Sequence, residues 1–197
     1  MIRVKFFFDG FNLYHAIMKQ GLGQYRWLDL PQVAENLINP KRECISGIQY
    51  FSARQYWRPD KVARHRVYTD ALEAVGVEVT LGRYQEGTKK CRAKCQLEYI
   101  AHEEKRTDCN IVAAVLGSAY NDAFDTAIIV SADSDMLAAV DAIRNNFPKI
   151  RLGFAFPPGL KSYHLRQQAD FVKKVRVRHL KNSLLPDSIT VHNGKSL

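Results

Sequence analysis

Three separated stretches of the chain each carry carboxylates at one end of a segment whose apolar character predicts burial. The stretches are Phe6–Asn12, Glu104–Asp108 and Ile128–Asp135. An ionised carboxylate beside an apolar strand is costly unless its charge is offset, and a hard divalent cation offsets it well. If the three stretches meet in space, they form an oxygen-rich site suited to Mg²⁺ or Mn²⁺. The predicted metal-binding and catalytic residues are Asp9, Asp108, Asp133 and Asp135.

Such a site suits phosphate chemistry, because Mg²⁺ usually keeps several waters and binds substrate phosphate. Two ions would activate a water and stabilise the leaving oxygen, and the sequence leaves open whether one or two bind. The predicted substrate-positioning residues are Asn12, Ser131 and Ser134. Each has a structural alternative, since Asp133 or a serine can cap a helix and Asn12 can bond to its own backbone. Capping explains neither Asp9 nor the whole Asp133–Asp135 pair, so the set as a whole predicts a site.

The overall composition favours an anionic partner for a soluble, cytoplasmic chain. The 197 residues include 29 Lys and Arg against 20 Asp and Glu, a net charge of +9, and 46% are hydrophobic. This length is typical of one domain with a substantial core. No apolar run approaches the roughly 20 residues that span a bilayer. Asp9 interrupts the N-terminal apolar run before a signal-peptide core could form, so we expect a cytoplasmic protein without a membrane partner.

Strands alternate with helices along most of the chain, which predicts an α/β fold. The predicted strands are Ile2–Phe8, Cys44–Ala53, Val77–Tyr84, Phe124–Ser131, Ile150–Phe156 and Phe171–Val175. The predicted helices are Leu13–Gln20, Leu30–Ile38, Pro59–Val75, Thr107–Tyr120, Met136–Asn146 and Leu160–Gln168. Leu97–Glu104 fits a short strand or a helix, and a polar, basic stretch precedes it. The alternation favours a mostly parallel, Rossmann-like central sheet with helices on both faces.

This architecture would bring the carboxylates together. In open α/β sheets, sites lie at the carboxyl ends of the strands, near a switch in strand order. Asp9 closes the first predicted strand, and Asp133 and Asp135 follow the fourth. Both groups therefore emerge at one edge if these strands are parallel neighbours. Asp108 begins the helix that leads toward the fourth strand, which would set its side chain over the same edge.

A basic cluster lies just ahead of Asp108 and is a predicted RNA-binding surface. Its residues are Lys89, Lys90, Arg92, Lys94, Lys105 and Arg106. Such clusters neutralise phosphates with little sequence preference, and Tyr84, Tyr99 and Tyr163 could stack unpaired bases. The alternative is an ordinary solvated charged face with half-buried tyrosines.

Cys91, Cys95 and His102 raise a second, weaker metal hypothesis. They supply three ligands of the types that zinc prefers, but a structural zinc site needs four, and the cysteine spacing is looser than in the usual paired-cysteine motif. Two ordinary thiols in a surface segment are the alternative to a zinc-bound hairpin.

The motifs resemble, as an ordered set, those of the NYN domain, and more narrowly the LabA-like branch of the PIN-like nuclease superfamily. They are Asp9–Asn12, Glu104–Asn110, Asp122–Thr126, Ser131–Asp135 and Phe156–Pro158. The resemblance covers Met1 to Val175 and leaves residues 176–197 as a basic, partly loose tail. It implies a PIN-like fold and a Mg²⁺- or Mn²⁺-dependent ribonuclease, with Asp9, Asp108, Asp133 and Asp135 on the acidic positions and Asn12 as their polar companion. One departure is Ala114, where some relatives carry a further Asp.

Two functional hypotheses follow from these observations. The first is a ribonuclease that hydrolyses phosphodiester bonds of single-stranded or structured RNA at the acidic Mg²⁺ or Mn²⁺ site, with His15 and His102 as candidate proton-transfer groups. The second, motivated by Ala114, is an RNA-binding regulatory module with weak or no turnover. A phosphohydrolase with an aspartyl nucleophile fits poorly, because Phe11 stands where its second acid is commonly found. The sequence leaves open whether the chain forms a homodimer.

Overall fold

A seven-stranded, mostly parallel sheet organises the residues described by the computed structural model, 1–91 and 96–189. The strands are β1 (Ile2–Asp9), β2 (Glu43–Ala53), β3 (Glu78–Lys90), β4 (Glu98–Lys105), β5 (Thr126–Val130), β6 (Arg151–Phe156) and β7 (Phe171–Lys174). Their order is β4-β3-β2-β1-β5-β6-β7, and among these pairs the β3–β4 pair is antiparallel. The predicted α/β fold, PIN-like with a mostly parallel central sheet and helices on both faces, is confirmed.

The helices divide between the two faces of the sheet. They are α1 (Gly10–Lys19), α2 (Leu30–Glu35), α3 (Pro59–Ala74), α4 (Thr107–Tyr120), α5 (Leu137–Asn146), α6 (Tyr163–Gln168) and α7 (Val177–Lys181). Side chains of α1, α2, α3 and α7 pack into one apolar cluster, and those of α4, α5 and α6 pack into a second. None of the described helices is both long and apolar enough to cross a bilayer.

The continuous apolar run of β1 reflects burial on both faces. Phe6 and Phe8 belong to the first apolar cluster, whereas Phe7, which points to the opposite face, belongs to the second. All three side chains are fully buried. A strand covered on both sides has no polar face to alternate with its apolar one, which places β1 at the centre of the sheet.

The strand order reverses at β1, and this reversal creates the crevice where a site is expected. The chain passes from β1 outward through β2 and β3, then returns to β5 on the other side of β1 and continues outward through β6 and β7. β1 pairs in parallel with both β2 and β5. The carboxyl ends of β1 and β5 are therefore adjacent, at the topological switch point of the sheet.

The region after residue 77 differs from the sequence prediction. β3 does not end at Tyr84 but continues to Lys90, and the undecided segment becomes β4, which pairs with β3 from Arg83 to Lys90. The two strands are joined by an antiparallel backbone ladder. Lys89 also pairs with Glu103, and Lys90 Nζ lies 3.7 Å from a Glu98 oxygen, but exposed pairs of this kind contribute little. A two-stranded arm with polar residues on both faces lacks the alternating pattern that predicts a strand.

Part of the predicted tail packs against the body of the protein. α7 buries Leu180, and an isolated bridge pairs Leu184 with Leu28. The Asp29 amide donates to the Ser183 carbonyl at 3.0 Å. The boundary at residue 175 stays a prediction, and residues 190–197 lie outside the described part of the chain.

Gly82, on β3, allows the start of α4 to approach the sheet closely. A Cβ atom added there would lie 2.7 Å from Thr107 Oγ1 and 2.9 Å from the Lys105 carbonyl oxygen. The second of these is backbone, so a larger residue must displace the turn that leads into α4. Gly82 therefore helps to fix the position of Asp108, one residue beyond Thr107.

We expect Gly82→Ala to destabilise the protein by about 1–3 kcal/mol, because overpacking forces backbone shifts of that cost. Urea unfolding followed by circular dichroism would measure the change. Gly87→Ala is the matched control, since Gly87 is on the same strand with nothing within 4 Å of its added Cβ. Equal unfolding free energies for the two variants would show that Gly82 has no packing role.

Candidate functional site

Asp9 is delivered to the site by the end of the central strand. It is the last residue of β1, and only 4% of its surface is exposed. Asp9 Oδ1 accepts a hydrogen bond from the Asn12 amide at 2.9 Å and thereby caps α1, while Oδ2 accepts one from Ser131 Oγ at 2.9 Å. The expectation that capping would not account for Asp9 was therefore wrong: one oxygen caps a helix, and the other faces the β5 side of the crevice.

The environment of Asp9 disfavours its charge. Burial raises the pKa of this carboxyl to about 6, although the hydrogen bonds from Asn12 and Ser131 act in the opposite direction. The negative charges of Asp108 and Asp133 raise the pKa further. An ionised Asp9 therefore carries an electrostatic penalty that a bound cation would relieve.

Two predicted substrate-positioning residues hold the loop after β5 against α1. Asn12 Oδ1 accepts from the Ala132 amide at 3.0 Å, and Ser131 Oγ accepts from the Asp133 amide at 3.1 Å. Ser131 is fully buried. These contacts fix Asp133 next to Asp9, so both residues have a structural role whatever they do with substrate.

Asp133 and Asp135 are placed differently from one another. Asp133 Oδ1 accepts from the Asp135 amide at 3.1 Å and caps the short 3₁₀ turn Ser134–Met136. Asp133 is half-buried, whereas Asp135 and Ser134 are exposed. The capping alternative is thus real for Asp133, and it uses one of the two carboxylate oxygens.

α4 brings in Asp108 from the other side of the crevice. The helix begins at Thr107, whose amide and hydroxyl both donate to the Glu104 carboxylate. Asp108 is half-buried in the first turn. Burial raises the pKa of Asp108 to about 6, and the charges of Asp133, Glu104 and Asp135 raise it further.

The carboxylates line one cavity of about 270 Å³, the carboxylate cavity. Its acidic lining residues are Asp9, Glu104, Asp108 and Asp133. The structure thus brings together three of the four predicted aspartates. Asp135 does not line the cavity, but its charge acts on Asp108. Asn12, His15 and Lys19 also line it.

The donor set fits a hard divalent cation. Mg²⁺ and Mn²⁺ favour carboxylate oxygens. Burial and neighbouring acids raise the pKa values of Asp9 and Asp108, so a bound cation would stabilise their ionised forms. Within residues 1–91 and 96–189, no three Asp, Glu, His or Cys side chains lie close enough together, in their present conformations, to coordinate one metal ion. Asp9, Asp108 and Asp133, which line the cavity together, are the residues that would hold a metal once their side chains move closer.

Glu104 is a site residue that the sequence interpretation missed. Glu104 lies close to Asp108 in the sequence, but the pattern before α4 fits a strand or a helix, so the sequence does not indicate the direction of its side chain. The structure makes it the penultimate residue of β4, with its carboxylate at the cavity. Ala114, in contrast, packs against the second apolar cluster and is not among the described residues that line the cavity.

Four of the predicted RNA-binding residues lie along the β3–β4 arm and its junction with α4, namely Lys89, Lys90, Lys105 and Arg106. Lys89 and Lys105 pair with Glu103, the latter at 2.9 Å, so the acids of β4 partly neutralise this surface. Arg106 is exposed at the start of α4, with a left-handed backbone (φ 79°). Arg92 and Lys94 lie outside the described residues. Whether this surface binds RNA stays a prediction.

The zinc hypothesis gains no site from the described residues. Cys91 is a free thiol, and Cys95 lies outside the described residues. His102 stacks on Trp57, with ring centroids 3.6 Å apart and planes inclined by 8°. Zinc binding by these residues therefore stays a prediction.

Without metal, we expect the Asp9→Asn variant to be more stable relative to the wild type at pH 8 than at pH 4. The folded-state pKa of about 6 lies above the ordinary value of 3.8, so the ionised wild type loses stability as pH rises through 4 to 6, whereas the amide does not titrate. We expect the difference in unfolding free energy between variant and wild type to grow by about 1–3 kcal/mol from pH 4 to pH 8. Chemical denaturation in a chelating buffer measures it.

Asp141→Asn, an exposed substitution on α5, is the control and should show little change with pH. A pH-independent difference for Asp9→Asn would mean that Asp9 is not held in a charge-disfavouring environment.

Comparisons with known proteins agree with this geometry. A family model described as "NYN domain" matches residues 3–175. A crystal structure of a protein of unknown function from Vibrio parahaemolyticus is similar in fold, with a TM-score of 0.61 and 20% identity over 93% of this chain and 96% of that one. A search of curated proteins finds no match. Because the family model spans residues 3–175, most of the chain, this protein belongs to the NYN domain family.

Proposed function

We propose that the protein is a metal-dependent ribonuclease that hydrolyses phosphodiester bonds of single-stranded or structured RNA. The observation that carries the proposal is the convergence of Asp9, Asp108 and Asp133 on one cavity from three distant parts of the chain. Membership of the NYN family, which belongs to the PIN-like nucleases, supports it. The net charge of +9 favours a polyanionic substrate, and a cytoplasmic location would give access to RNA.

In this proposal, Asp9, Asp108 and Asp133 hold Mg²⁺ or Mn²⁺, with Asp135 as a nearby acid. When bound, the ion supplies a water of lowered pKa and positive charge beside the phosphate. Hydrogen bonds of Asn12 and Ser131 fix the positions of Asp9 and of the loop that carries Asp133. They would act on the substrate chiefly through that placement, and Ser134, exposed at the rim, through direct contact.

Two further residues of the carboxylate cavity have chemistry suited to the phosphate. Lys19 and His15 both line it. Lys19 would bind a phosphate oxygen, and His15 would donate a proton to the departing oxygen. His102, the other histidine considered, is stacked on Trp57 and is not among the described residues of this cavity.

We expect Asp108→Asn and Asp133→Asn to abolish Mn²⁺-stimulated cleavage of a labelled RNA. Each change removes a negatively charged ligand, so the loss should exceed the ~10–100-fold typical of residues that only orient a ligand. Gel analysis of the products under single-turnover conditions measures the rate. Asp141→Asn is the control and should cleave like the wild type. Wild-type rates for both cavity variants would place the activity elsewhere or in a contaminant.

The second candidate, an RNA-binding module without efficient turnover, is favoured by one observation: no three of the described acids are already close enough to hold an ion. It predicts tight RNA binding, measured by filter retention, with no cleavage under any divalent ion. Ala114 gives it less support than the sequence suggested, because this position faces an apolar cluster. Cleavage that depends on Asp133 would exclude it.

A further inference from the structure

A second cavity, which we call the aromatic cavity, adjoins the carboxylate cavity. It has a volume of about 210 Å³, and Phe11 and His15 line both cavities. It is lined by the phenyl, phenol and indole rings of Phe11, Tyr14, Trp27, Tyr50 and Tyr68, together with the imidazoles of His15 and His65. Drug-sized ligands usually occupy roughly 300–1,000 Å³, so this space suits a single ring system rather than a larger ligand.

The aromatic cavity is preformed. Tyr68 packs edge-on against Trp27 and Tyr50, with ring centroids 5.7 Å and 5.8 Å apart. The Tyr68 hydroxyl donates to the Leu28 carbonyl at 3.0 Å. Tyr50 is buried and lies directly over Gly10, where an added Cβ would come within 2.5 Å of its ring. The rings are therefore held in place without a ligand, which lowers the entropic cost of binding one.

The charge of this cavity is opposite to that of its neighbour. Arg26, Lys61 and Arg64 line it, and none of its described lining residues is acidic. Arg64 also pairs with Asp60 at 3.1 Å, but both side chains are more than half exposed, and an exposed pair of this kind contributes little. Arg64 can therefore exchange Asp60 for a phosphate at low cost.

One buried polar atom of the cavity is available for the edge of a ring. His65 lines the cavity, and its Nε2 atom is buried without a hydrogen-bond partner in the described part of the chain. Ser52 and Gln55 also line the cavity, but the Ser52 hydroxyl already bonds to Tyr50 and the Gln55 amide donates to the Tyr84 hydroxyl at 3.4 Å, so a base would have to share these groups. Unpaired buried polar atoms are costly and usually await a partner, and a nucleobase edge supplies both donors and acceptors.

We propose that the aromatic cavity binds one unpaired nucleobase of an RNA strand whose neighbouring phosphate lies at the carboxylate cavity. Aromatic rings would stack on the base, and Lys61 and Arg64 would bind the phosphate on its far side. Phe11 and His15, shared by both cavities, make the two positions consecutive along one strand. The proposal rests on RNA as the substrate of the proposed function, and it defines a preference for unpaired RNA.

The first test is independent of cleavage. Calorimetry in EDTA with nucleoside 5′-monophosphates should detect binding to the wild-type protein, and Arg64→Ala should weaken it about tenfold, as expected for a lost charge-assisted hydrogen bond. Arg66→Ala is a matched control, because Arg66 is on the same helix, pairs with Asp70 at 3.7 Å and does not line the cavity. No binding to the wild type, or equal weakening by both substitutions, would overturn the proposal.

The second test locates the base along the strand. Single abasic sites are moved stepwise through a single-stranded RNA, and both binding and cleavage are measured. An abasic site at one position should weaken RNA binding about ten- to a hundredfold, because base–aromatic stacking contributes ~1–3 kcal/mol. The Arg64→Ala substitution should reduce this position-specific loss of affinity. Uniform effects at all positions would overturn the proposal.

The two tests separate this inference from the proposed ribonuclease. Arg64-dependent nucleotide binding and a position-specific abasic effect on RNA binding, without any cleavage, would support the aromatic cavity and remove the nuclease function. Aspartate-dependent cleavage with no mononucleotide binding would support the nuclease function and remove the proposed base-binding role of the aromatic cavity.

Discussion

The structure depends on a carboxylate that is buried where burial is unfavourable. Asp9 ends a fully apolar strand, is almost inaccessible to solvent, and faces two further acids. Its two hydrogen bonds, from Asn12 and Ser131, lower the cost but do not remove it. Such strain in a native protein usually accompanies function. Hydrogen bonds hold the junction of β1, α1 and the loop after β5 together, and the buried carboxylate makes positive charge favourable in the adjoining cavity.

The sheet order translates this local constraint into a pair of sites. Because the strand order reverses at β1, α1 starts in the crevice between the carboxyl ends of β1 and β5. One side of the first turns of α1 lines the acidic cavity, and another side lines the aromatic and basic cavity. A single ten-residue helix thus separates chemistry suited to a metal from chemistry suited to a nucleotide.

The central strands and α4 could be predicted from the sequence, because the apolar patterns that indicate them lie within single short segments. Continuous apolar runs identified β1 and β5, and the apolar spacing identified α4 with Asp108 in its first turn. The parallel pairing of β1 with β5, assumed from the fold class, is confirmed. From these elements the sequence predicted that four aspartates would meet, and three of them, Asp9, Asp108 and Asp133, line the cavity, whereas Asp135 does not.

The remaining features depend on contacts between distant residues. β4 is held to β3 by an antiparallel ladder that runs from Arg83 to Lys90, and Glu104 could not be recognised before that strand was known. α7 is too short to have its own periodic signal and is fixed by Leu180 packing into the core. The aromatic cavity combines residues from α1, β2, α3 and the segment around Trp27, a combination that no single stretch of sequence reveals.

The long strand β3 changes partner along its length. It pairs with β2 up to Gly82 and from Arg83 onward only with β4 among the described strands. A two-stranded ribbon has little apolar burial and opens at lower free energy than a central strand. Asp108 follows the base of this ribbon, whereas Asp9 and Asp133 adjoin the innermost strands. Amide hydrogens on the two sides of the crevice should therefore exchange at different rates. Exchange should be faster on the Asp108 side, next to the ribbon, than on the side formed by the innermost strands.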